Sequence, residues 1–561
     1  MCGIAGTVFY KGRRLTGRVE PQKLINEIKR VQDGRGSVSQ LLDHAWNYKN
    51  NLNFLHYWNS PSERLKISQA AENVAELISC LEKEINVTSR SNKRNDFDIL
   101  MSDIEFARDV LWILSKEVPR IREQVSDVLK SDEVDSPKET LLLFKSITHI
   151  INSIDFRLEI RGRDSLGLSV VLVSNSFLDH KKIENSKFDN SVLVDFESVG
   201  KVGVYTFVFK TFNHIGGLGD NAQVIRKLIR ENKQFQDLVC SGVVEVSSIV
   251  AHTRWASVGR IDFPNTLPLG TKITNFSGET TAVTSCLNGD ILNHFELVND
   301  IDSRRVCEFG SRPHDSIKCT SDCLALPALL SNRSDYSRLS SVGSLEKAEG
   351  SFVVALQESH YPGEVLIFKR GIQGLYIGKC ADGIFFASDI YGFVETCRDY
   401  CSVDSETFLL ISEANDKHDV KEASVSRLKN AKAKTKTLYD GVFQRTEIST
   451  RDIDIGEYGF FLEKEINETR HIVEKTIHSF LHFHEGHNPS KFGHTFVISD
   501  IEVPEVIVNG LMEANIKNII ITGMGTCYTA AVAISGYMRS MLQTVFPNLL
   551  VEPHVASEGS G

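Results

Sequence analysis

The feature that most constrains the fold is a stretch with helical periodicity, residues 36–155, which separates one N-terminal strand from a long series of short strands. Residues 3–10 form a continuous apolar run that is typical of a buried strand. After the helical stretch, strand-like runs recur between residues 167 and 387 with few helices among them. This order predicts a mixed α/β chain with a two-sheet core and a helical insertion.

Three segments of the insertion predict helices. Apolar residues recur three and four positions apart at Val74, Leu77, Ile78, Leu81 and Ile85. A second helix is expected over residues 99–114, ending before Pro119, and a third begins at Pro137. We see no catalytic motif in this stretch.

The last part of the chain has a different pattern. Residues 417–436 are rich in charge and predict a linker, and residues 458–483 predict a helix. A buried-type strand, residues 517–523, then turns through a glycine-containing loop into a further helix. This is the beginning of an α/β unit, and the short remainder of the chain cannot cover both faces of a parallel sheet. We therefore expect a truncated domain or one that packs against something else.

Composition excludes several classes of protein. The 561-residue chain is long enough for three or four domains, and its net charge of −10 argues against a nucleic-acid partner. The N-terminus lacks the apolar core of a signal peptide, and no run of about 18 apolar residues predicts a membrane span. Eleven cysteines without a regular spacing favour a reducing, cytoplasmic location.

Cys2 follows the initiator methionine directly and precedes the N-terminal strand. A methionine before a small residue is normally removed, so we expect the mature chain to begin with Cys2. The thiol would then share a residue with a free α-amine, whose pKa near ~8 allows it to accept the thiol proton. Cys2 is a candidate nucleophile with its own base; the alternative is a small apolar residue at the start of a strand.

Three further segments carry groups that suit an amide substrate. Arg254, in the segment HTRWASVG, has a planar fork that can bind a carboxylate, although it could equally be a surface arginine. Asn288 and Gly289 could supply two donors to an oxyanion, but Asn-Gly is also a common hairpin turn. Asp322 could pair with an ammonium group or cap a helix.

Taken in order, these motifs resemble those of class II glutamine amidotransferases. The relevant segments are Cys2-Gly-Ile, RGRDSLG (161–167), HTRWASVG (252–259), LNGD (287–290), TSD (320–322), ASD (387–389) and LEKEI (462–466). RGRDSLG is similar to RGYDSAG, and HTRWASVG to HTRWATHG, of the glutamine–fructose-6-phosphate aminotransferases. The chain therefore resembles that family over nearly its whole length apart from the insertion.

The resemblance implies an Ntn-hydrolase glutaminase domain of four αββα layers, formed by residues 1–35 and 156–415. Residues 36–155 would be the insertion and 416–457 a linker. Residues 458–561 would be the start of a sugar isomerase (SIS) domain, a doubly wound parallel α/β fold. Association of chains through this second part is also implied.

The family's roles can be carried over to matching positions. Cys2 would attack the side-chain amide of L-glutamine, and Asn288 and Gly289 would hold the oxyanion. The resemblance further implies that Arg254 and Ser257 bind the α-carboxylate of glutamine and that Asp322 binds its α-ammonium group. Trp255 would gate the passage of ammonia.

In the SIS part, the segment from Gly523 to Tyr528 resembles the family's CGTSY phosphate loop. Gly525, Thr526 and Cys527 would bind a sugar phosphate, fructose 6-phosphate by resemblance, at a helix N-terminus. Cys527 replaces the family's serine, and a thiol is a weaker hydrogen-bond donor. The implied chemistry needs no metal and no organic cofactor.

Other interpretations remain. Val258 and Leu287 replace histidines of the family, which favours a regulatory protein that binds glutamine or a sugar phosphate without turnover. Another class II amidotransferase is a further alternative, although we find neither the SGGxDS-type loop of asparagine synthetases nor a pyrophosphate loop. A cluster of histidines could bind a metal or form a solvated polar face. Its members are His478, His482, His484 and His487.

Overall fold

The structure, a computed structural model, divides into two compact units, residues 1–454 and 455–561. It describes residues 2–9, 17–88, 94–130, 136–174, 191–213, 217–299, 305–309, 311, 317–380, 383–413, 423–428, 436–438, 442–446, 448–482, 495–496, 505–523 and 526–555. The two units are treated separately below.

The described part of the first unit contains two antiparallel sheets. The first has nine strands in the order β17-β13-β11-β12-β1-β5-β2-β4-β3. Their bounds are β1 Gly3–Phe9, β2 Ser165–Ser174, β3 Val192–Val199, β4 Val202–Phe212, β5 Val244–Arg254, β11 Tyr376–Cys380, β12 Gly383–Ala387, β13 Asp399–Ser402 and β17 Gln444–Arg445. The N-terminal strand therefore lies near the middle of this sheet.

The second sheet has eight strands among the described residues, in the order β16-β15-β14-β10-β9-β7-β6-β8. Their bounds are β6 Leu269–Thr274, β7 Thr280–Ile291, β8 Val306–Glu308, β9 Gly350–Glu358, β10 Glu364–Arg370, β14 Thr407–Glu413, β15 Ala423–Leu428 and β16 Lys436–Leu438. The prediction of a mixed α/β chain built on sheets is confirmed, and both large sheets are antiparallel.

Helices form a large part of the first unit. In the first half of the unit they are α1 Pro21–Gln32, α2 Val38–Tyr48, α3 Asn51–Asn59, α4 Pro61–Thr88, α5 Arg94–Trp112, α6 Val118–Val128 and α7 Lys138–Asn152. Further along the chain lie α8 Asp220–Glu231, α9 Lys233–Cys240, α10 His294–Asn299, α11 Ala325–Ser331 and α12 Arg338–Leu345. The helical region thus begins at Pro21, before the expected residue 36.

The helical path continues past Pro119, where we expected it to stop. A π-helical segment, Ile113–Glu117, connects α5 directly to α6. Pro119 lies in the first turn of α6. Proline has no N–H to donate into the preceding turn, and the wider π-helical turn directly before it accommodates this interruption.

The two sheets pack face to face, and helices cover their outer faces. Apolar side chains of both sheets, such as Ile4, Val250, Val353 and Ile367, share one buried cluster. On the outer face of the first sheet, side chains of α7, α8 and α9 join those of β2 and β4. Side chains of α11 and α12 cover the second sheet. Helices α1, α2, α4 and α5 share a separate apolar core of their own.

Strands β15 and β16 lie inside the stretch 416–457, the linker that the resemblance implies, and β15 lies within the charged residues 417–436. Strand β15 pairs with β14 from Ala423 to Leu428, and β16 pairs with β15. Charged residues lie on both sides of this short alternating run, so the sequence pattern did not predict a strand there. Part of the expected linker therefore belongs to the second sheet.

The second unit contains a parallel β-α-β element. Strands β20 (Asn518–Gly523) and β21 (Leu550–Val555) pair in parallel, and α15 (Thr526–Leu542) connects them. The remaining elements are α13 Phe461–Phe480, β18 Leu481–His482, β19 Thr495–Phe496 and α14 Glu505–Met512. Within the described residues, no helix is long and apolar enough to cross a membrane.

A buried ionic cluster joins the second sheet to its covering helices. Glu358, at the end of β9, lies 2.9 Å from Arg333 and 2.6 Å from Arg338, and the side chains of Glu358 and Arg333 are fully buried. Burial raises the pKa of Glu358, but the two guanidinium groups outweigh that effect and hold the pKa below its usual value. The cluster is stable only while its charges balance.

We therefore expect Glu358→Gln to lower the free energy of unfolding by about 3–5 kcal/mol, because it leaves the fully buried Arg333 guanidinium without its carboxylate partner, whereas Arg338 keeps Glu364 at 2.9 Å. The matched control is Glu406→Gln, which removes one partner of the exposed Arg370–Glu406 pair and should cost less than about 1 kcal/mol. Urea unfolding followed by circular dichroism measures both. Equal losses in the two variants would show that the buried cluster has no special role.

Candidate active site

Cys2 lies directly before β1, beside the end of β5. In the register of these antiparallel strands, Gly3 is opposite Thr253 and Ile4 is opposite His252. This pairing places the Cys2 thiol against the backbone of Trp255. The Trp255 N–H donates to Cys2 Sγ at 3.4 Å, and the thiol donates to the Trp255 carbonyl at 3.6 Å.

Burial dominates the protonation of this thiol and raises its pKa. The Trp255 N–H and the Arg254 guanidinium act in the opposite direction, and the Asp322 carboxylate raises the pKa further. Since the net result is a thiol that holds its proton, nucleophilic attack requires a base close to Sγ.

Arg254 is almost fully buried at 3% exposure. Its guanidinium donates to the carbonyls of Val258 and Arg260, at 2.7 Å for Arg260. These contacts close the loop that follows β5. Arginine has five N–H donors, so this loop leaves further N–H groups for another acceptor.

A second loop supports the first. The Asp164 carboxylate accepts a hydrogen bond from the Ala256 N–H at 2.7 Å. A Cβ atom at Gly162 would lie 2.4 Å from the backbone carbon of Arg254, so only glycine fits there. The RGRDSLG segment is thus packed against the loop that contacts Cys2.

Asn288 and Gly289 lie near the end of β7, and both positions have unusual geometry. Asn288 is fully buried; its Nδ2 lies 3.2 Å from Ser388 Oγ, and its Oδ1 has no hydrogen-bond partner among the described residues. Gly289 has φ = +111°, and an added Cβ would lie 2.1 Å from the carbonyl oxygen of Ser351. The close approach of β9 and the positive φ both require glycine.

Ser388 connects Asn288 to the strand that begins beside Cys2. Its Oγ accepts a hydrogen bond from the Ile4 N–H at 2.9 Å. Its own N–H donates to the Ile4 carbonyl at 2.8 Å. Ser388 therefore holds the Asn288 amide at a fixed position relative to β1. The sequence analysis assigned Ser388 no role, although it lies in the ASD motif (387–389).

Asp322 is buried and accepts two hydrogen bonds, from the Ile291 N–H at 2.9 Å and from the Ser321 hydroxyl at 3.1 Å. Burial nevertheless raises the pKa of Asp322, and nearby Asp290 adds to the effect. Ser257 donates to Asp290 Oδ1 at 3.0 Å and is exposed. Two carboxylates thus lie near Asn288 and Gly289, which are strand residues of β7 rather than a hairpin turn.

His252 is a further residue that the sequence reasoning did not single out. Its Nε2 lies 2.8 Å from the carbonyl oxygen of Leu287, the residue before Asn288. Burial lowers the pKa of His252 to about 3, so the ring is neutral and Nε2 carries the donated proton. This hydrogen bond connects β5 to β7 across the two sheets and helps to position Asn288.

The structure brings most of the expected glutaminase residues together around Cys2. Trp255 contacts the thiol through its backbone, while its side chain is 56% exposed. Arg254 and Asp322 lie near enough to act on the charge of Cys2. Ser388 contacts both Ile4 and Asn288, so Asn288 lies at the same end of β1 as Cys2.

The expected phosphate loop lies in the second unit. Thr526 and Cys527 are exposed at the N-terminus of α15, and Gly525 lies outside the described residues. A Cβ at Gly523 would lie 2.5 Å from the backbone of Cys527, so β20 and α15 approach each other closely.

Among the described residues, no three His, Cys, Asp or Glu side chains are grouped to hold a metal ion. Two of the clustered histidines, His484 and His487, lie outside the described residues.

Comparison with known proteins supports the motif resemblance. No family model matches the chain. It is 25% identical over 367 residues to the glutamine–fructose-6-phosphate aminotransferase (isomerizing) of Lactococcus lactis, covering 64% of this chain and 51% of that protein. The Chlamydia pneumoniae protein of the same name is 25% identical over 334 residues, 60% of this chain and 47% of that one.

A third relative, from Fusobacterium nucleatum, carries the same name and is 23% identical over 322 residues, 57% of this chain and 44% of that protein. The resemblance to glutamine–fructose-6-phosphate aminotransferases is thus confirmed at the level of the family. The chain spans about half the length of the curated relatives it matches.

The glycine at position 289 provides a test of this site's geometry. Gly289→Ala adds the strain of a positive φ and also a methyl group that collides with β9. We expect the collision to lower the free energy of unfolding by about 1–3 kcal/mol beyond the effect of the strain. Gly278→Ala is the matched control: Gly278 has φ = +81° but nothing within 4 Å of an added Cβ, so it should lose only about 1–2 kcal/mol. Urea unfolding measures both; equal losses would contradict the close approach.

Proposed function

We propose that the first unit hydrolyses L-glutamine to glutamate and ammonia, with Cys2 as the nucleophile. The observation that carries this proposal is the surroundings of the Cys2 thiol at the start of β1. A backbone N–H of Trp255, the cation of Arg254, the carboxylate of Asp322 and the amide of Asn288 all belong to this end of the strand.

The proposed reaction begins with removal of Met1, which frees the α-amine of Cys2. The amine accepts the thiol proton and so produces the thiolate, although burial raises the pKa of this thiol. The thiolate attacks the side-chain carbonyl carbon of glutamine and forms a tetrahedral oxyanion. Collapse breaks the C–N bond, ammonia leaves with the transferred proton, and a thioester remains. Water then attacks the thioester, returning the thiol and releasing glutamate.

Substrate recognition follows from the charges at the site. The N–H groups of Arg254 that the loop does not use would bind the α-carboxylate, with Ser257 assisting. Asp322 would bind the α-ammonium group, and a cation there would favour the ionised form of a carboxyl whose pKa burial raises. Trp255, exposed beside Cys2, would close the route by which ammonia leaves.

We propose Ser388 as a positioning residue for the oxyanion site. Its Oγ accepts from the Ile4 N–H, so its single proton remains for donation. With the Asn288 amide turned so that Oδ1 accepts that proton, the buried Oδ1 gains its missing partner. Nδ2 is then free to donate, together with the Gly289 N–H, to the developing oxyanion.

The wider function is proposed by analogy with the relatives, whose name describes amino transfer to fructose 6-phosphate. In this proposal the first unit is an Ntn-hydrolase domain with a helical insertion, and the β20-α15-β21 element begins a SIS domain. Gly525, Thr526 and Cys527 would bind the sugar phosphate, and ammonia from glutamine would produce glucosamine 6-phosphate. The proposal places the protein in the cytoplasm.

A second candidate function is glutamine binding without turnover. The observation that favours it is the raised pKa of the buried Cys2 thiol, which keeps the nucleophile protonated unless the α-amine is free. The state of the N-terminus distinguishes the two functions.

The first experiment measures glutamate release from glutamine by the purified chain, with and without fructose 6-phosphate. We expect Cys2→Ser to abolish release, because serine lacks a thiolate at neutral pH. Cys80→Ala is the matched control, since Cys80 is an exposed thiol on α4, and it should retain full release. Mass spectrometry of the intact chain establishes whether Met1 has been removed. A chain that begins with Cys2 and releases no glutamate would contradict the hydrolase and support the binding function.

The role of Ser388 is tested by Ser388→Ala. We expect kcat for glutamine hydrolysis to fall about 10- to 100-fold while KM changes little, because the oxyanion is stabilised only in the transition state. Ser331→Ala is a matched control: Ser331 is equally buried and donates to the Ala328 carbonyl at 2.8 Å, on the second sheet's helix layer. If both variants lose similar stability and kcat falls only in Ser388→Ala, the result supports Ser388 as a positioning residue. An unchanged kcat in Ser388→Ala would contradict it.

A further inference from the structure

Residues 448–454 end the first unit and form part of the stretch that we expected to be a linker. The structure places them against the helical insertion, with Thr450 at the centre of the contact. Thr450 is 5% exposed. Its hydroxyl donates to the Glu117 carboxylate and accepts a hydrogen bond from the Trp112 indole N–H at 2.9 Å. A buried hydroxyl of the expected linker is thus bonded to the insertion on both its donor and its acceptor side.

Charged contacts follow this hydroxyl along the segment. Arg451 lies 2.9 Å from Asp109 and 2.8 Å from Glu105, which are both on α5. Asp454 lies 2.9 Å from Arg120 on α6. Partly exposed ion pairs contribute little each. We therefore assign the main part of the docking energy to the buried hydroxyl, and a smaller part to these pairs.

A π-helical turn gives the insertion the shape that receives the segment. Trp112 and Glu117 are five positions apart, and residues with this spacing lie on different faces of an α-helix with 3.6 residues per turn. Here the Val118 N–H donates to the Ile113 carbonyl, which is the i→i+5 bond of a π-helix. The wider turn brings the Trp112 and Glu117 side chains to one hydroxyl. Turns of this kind are frequent at functional sites.

The insertion is also built to keep its shape without the segment. Helices α1, α2, α4 and α5 share an apolar core of their own. Ile113 and Leu114, from the π-helical turn itself, belong to that core. The side of the turn that contacts the segment is therefore supported from behind by buried side chains of the insertion.

The segment is held in a turn before it docks. The Ser449 N–H donates to Asp452 Oδ2 at 2.8 Å, and the Ser449 hydroxyl donates to the same oxygen at 3.1 Å. The Asp452 N–H returns a hydrogen bond to the Ser449 carbonyl at 3.2 Å. Thr450 and Arg451 are the two central residues of this turn. Because the turn is closed by its own hydrogen bonds, docking costs the segment little conformational freedom.

Docking shortens the free chain that leads to the second unit. Residues 455–460 separate Asp454 from the first residue of α13, Phe461, and the seven Cα–Cα steps span at most about 25 Å. The preceding fixed point is Arg445, which belongs to β17 and lies 2.8 Å from Asp43 on α2. If the segment were released, the sixteen steps from Arg445 to Phe461 would span at most about 55 Å. Detachment would therefore about double the reach of the tether.

We propose that the helical insertion is a docking surface for residues 448–454, and that this segment is a detachable strap that sets the length of the tether to the second unit. The docked strap confines the start of the second unit, and release allows it to move further from the first. The proposal gives a role to a stretch in which the sequence shows no catalytic motif. It makes no use of the chemistry at Cys2.

The test is hydrogen–deuterium exchange of the full chain, read by mass spectrometry, in the variant Thr450→Val/Arg451→Gln. Valine keeps the shape of threonine but removes the hydroxyl that joins Trp112 to Glu117. We expect peptides that contain residues 448–454 to exchange about tenfold or more faster, because a buried hydrogen bond to a carboxylate is lost. Peptides from α1, α4 and both sheets should exchange as before.

Small-angle X-ray scattering on the same samples tests whether the strap limits the second unit. We expect the maximum dimension of the chain to increase in the Thr450→Val/Arg451→Gln variant, by up to about 30 Å, because the free tether lengthens. The radius of gyration should rise with it.

The matched control is Thr148→Val/Arg30→Gln. Thr148 is fully buried and donates to the Phe144 carbonyl of its own helix at 2.8 Å. Arg30 lies 3.0 Å from Glu27 of its own helix. This variant makes the same two chemical changes away from the strap, and we expect the exchange of residues 448–454 and the scattering to remain as in the unmodified chain.

Four results would overturn the proposal. Unchanged exchange of residues 448–454 in the Thr450→Val/Arg451→Gln variant would show that the contact does not hold the segment. Faster exchange of α5 and α6 as well would show that the segment is part of the insertion's fold rather than a detachable strap. Faster exchange of the segment with unchanged scattering would show that it does not limit the tether. An equal effect of Thr148→Val/Arg30→Gln would show that the site is not specific. None of these outcomes depends on glutamine hydrolysis.

Discussion

The pairing of β1 with its two neighbours is the constraint on which the candidate site depends. Strand β1 lies between β5 and β12, and every residue from Gly3 to Phe9 is buried. Neither end of this strand can shift without breaking ladder hydrogen bonds on both sides. The residue before it, Cys2, is therefore held beside the backbone of Trp255. The first few residues of a chain are often poorly ordered. Here the pairing of β1 with β5 and β12 holds them in place.

Hydrogen bonds between the sheets extend that constraint to Asn288 and Gly289, the proposed oxyanion donors. His252 on β5 reaches the Leu287 carbonyl on β7, and Ser388, which follows β12, contacts both Ile4 and Asn288. Each contact joins residues that are far apart in sequence, and each lies where water is excluded. Buried polar groups must find partners, so these bonds fix the position of the Asn288 amide relative to the strand that follows Cys2.

Much of the site could be predicted from the sequence because its motifs are short and each includes a residue with special chemistry. Cys2, Arg254, Asn288 and Asp322 were all recognisable in this way, and comparison with curated relatives confirms the family resemblance. Ser388 and His252 lie within the motifs ASD and HTRWASVG, but a serine after a strand and a histidine within one are ordinary residues, so the sequence assigned them no role.

By itself the sequence determined the division into helical and strand-rich regions and the strand that begins beside Cys2. These depend on local periodicity and on backbone sterics, which a short window of residues specifies. Only the tertiary structure decided that the helices begin at Pro21, that β15 and β16 extend the second sheet, and that two arginines meet at Asp43. Those features arise from contacts between residues distant in the chain, and their energy depends on burial that no local pattern records.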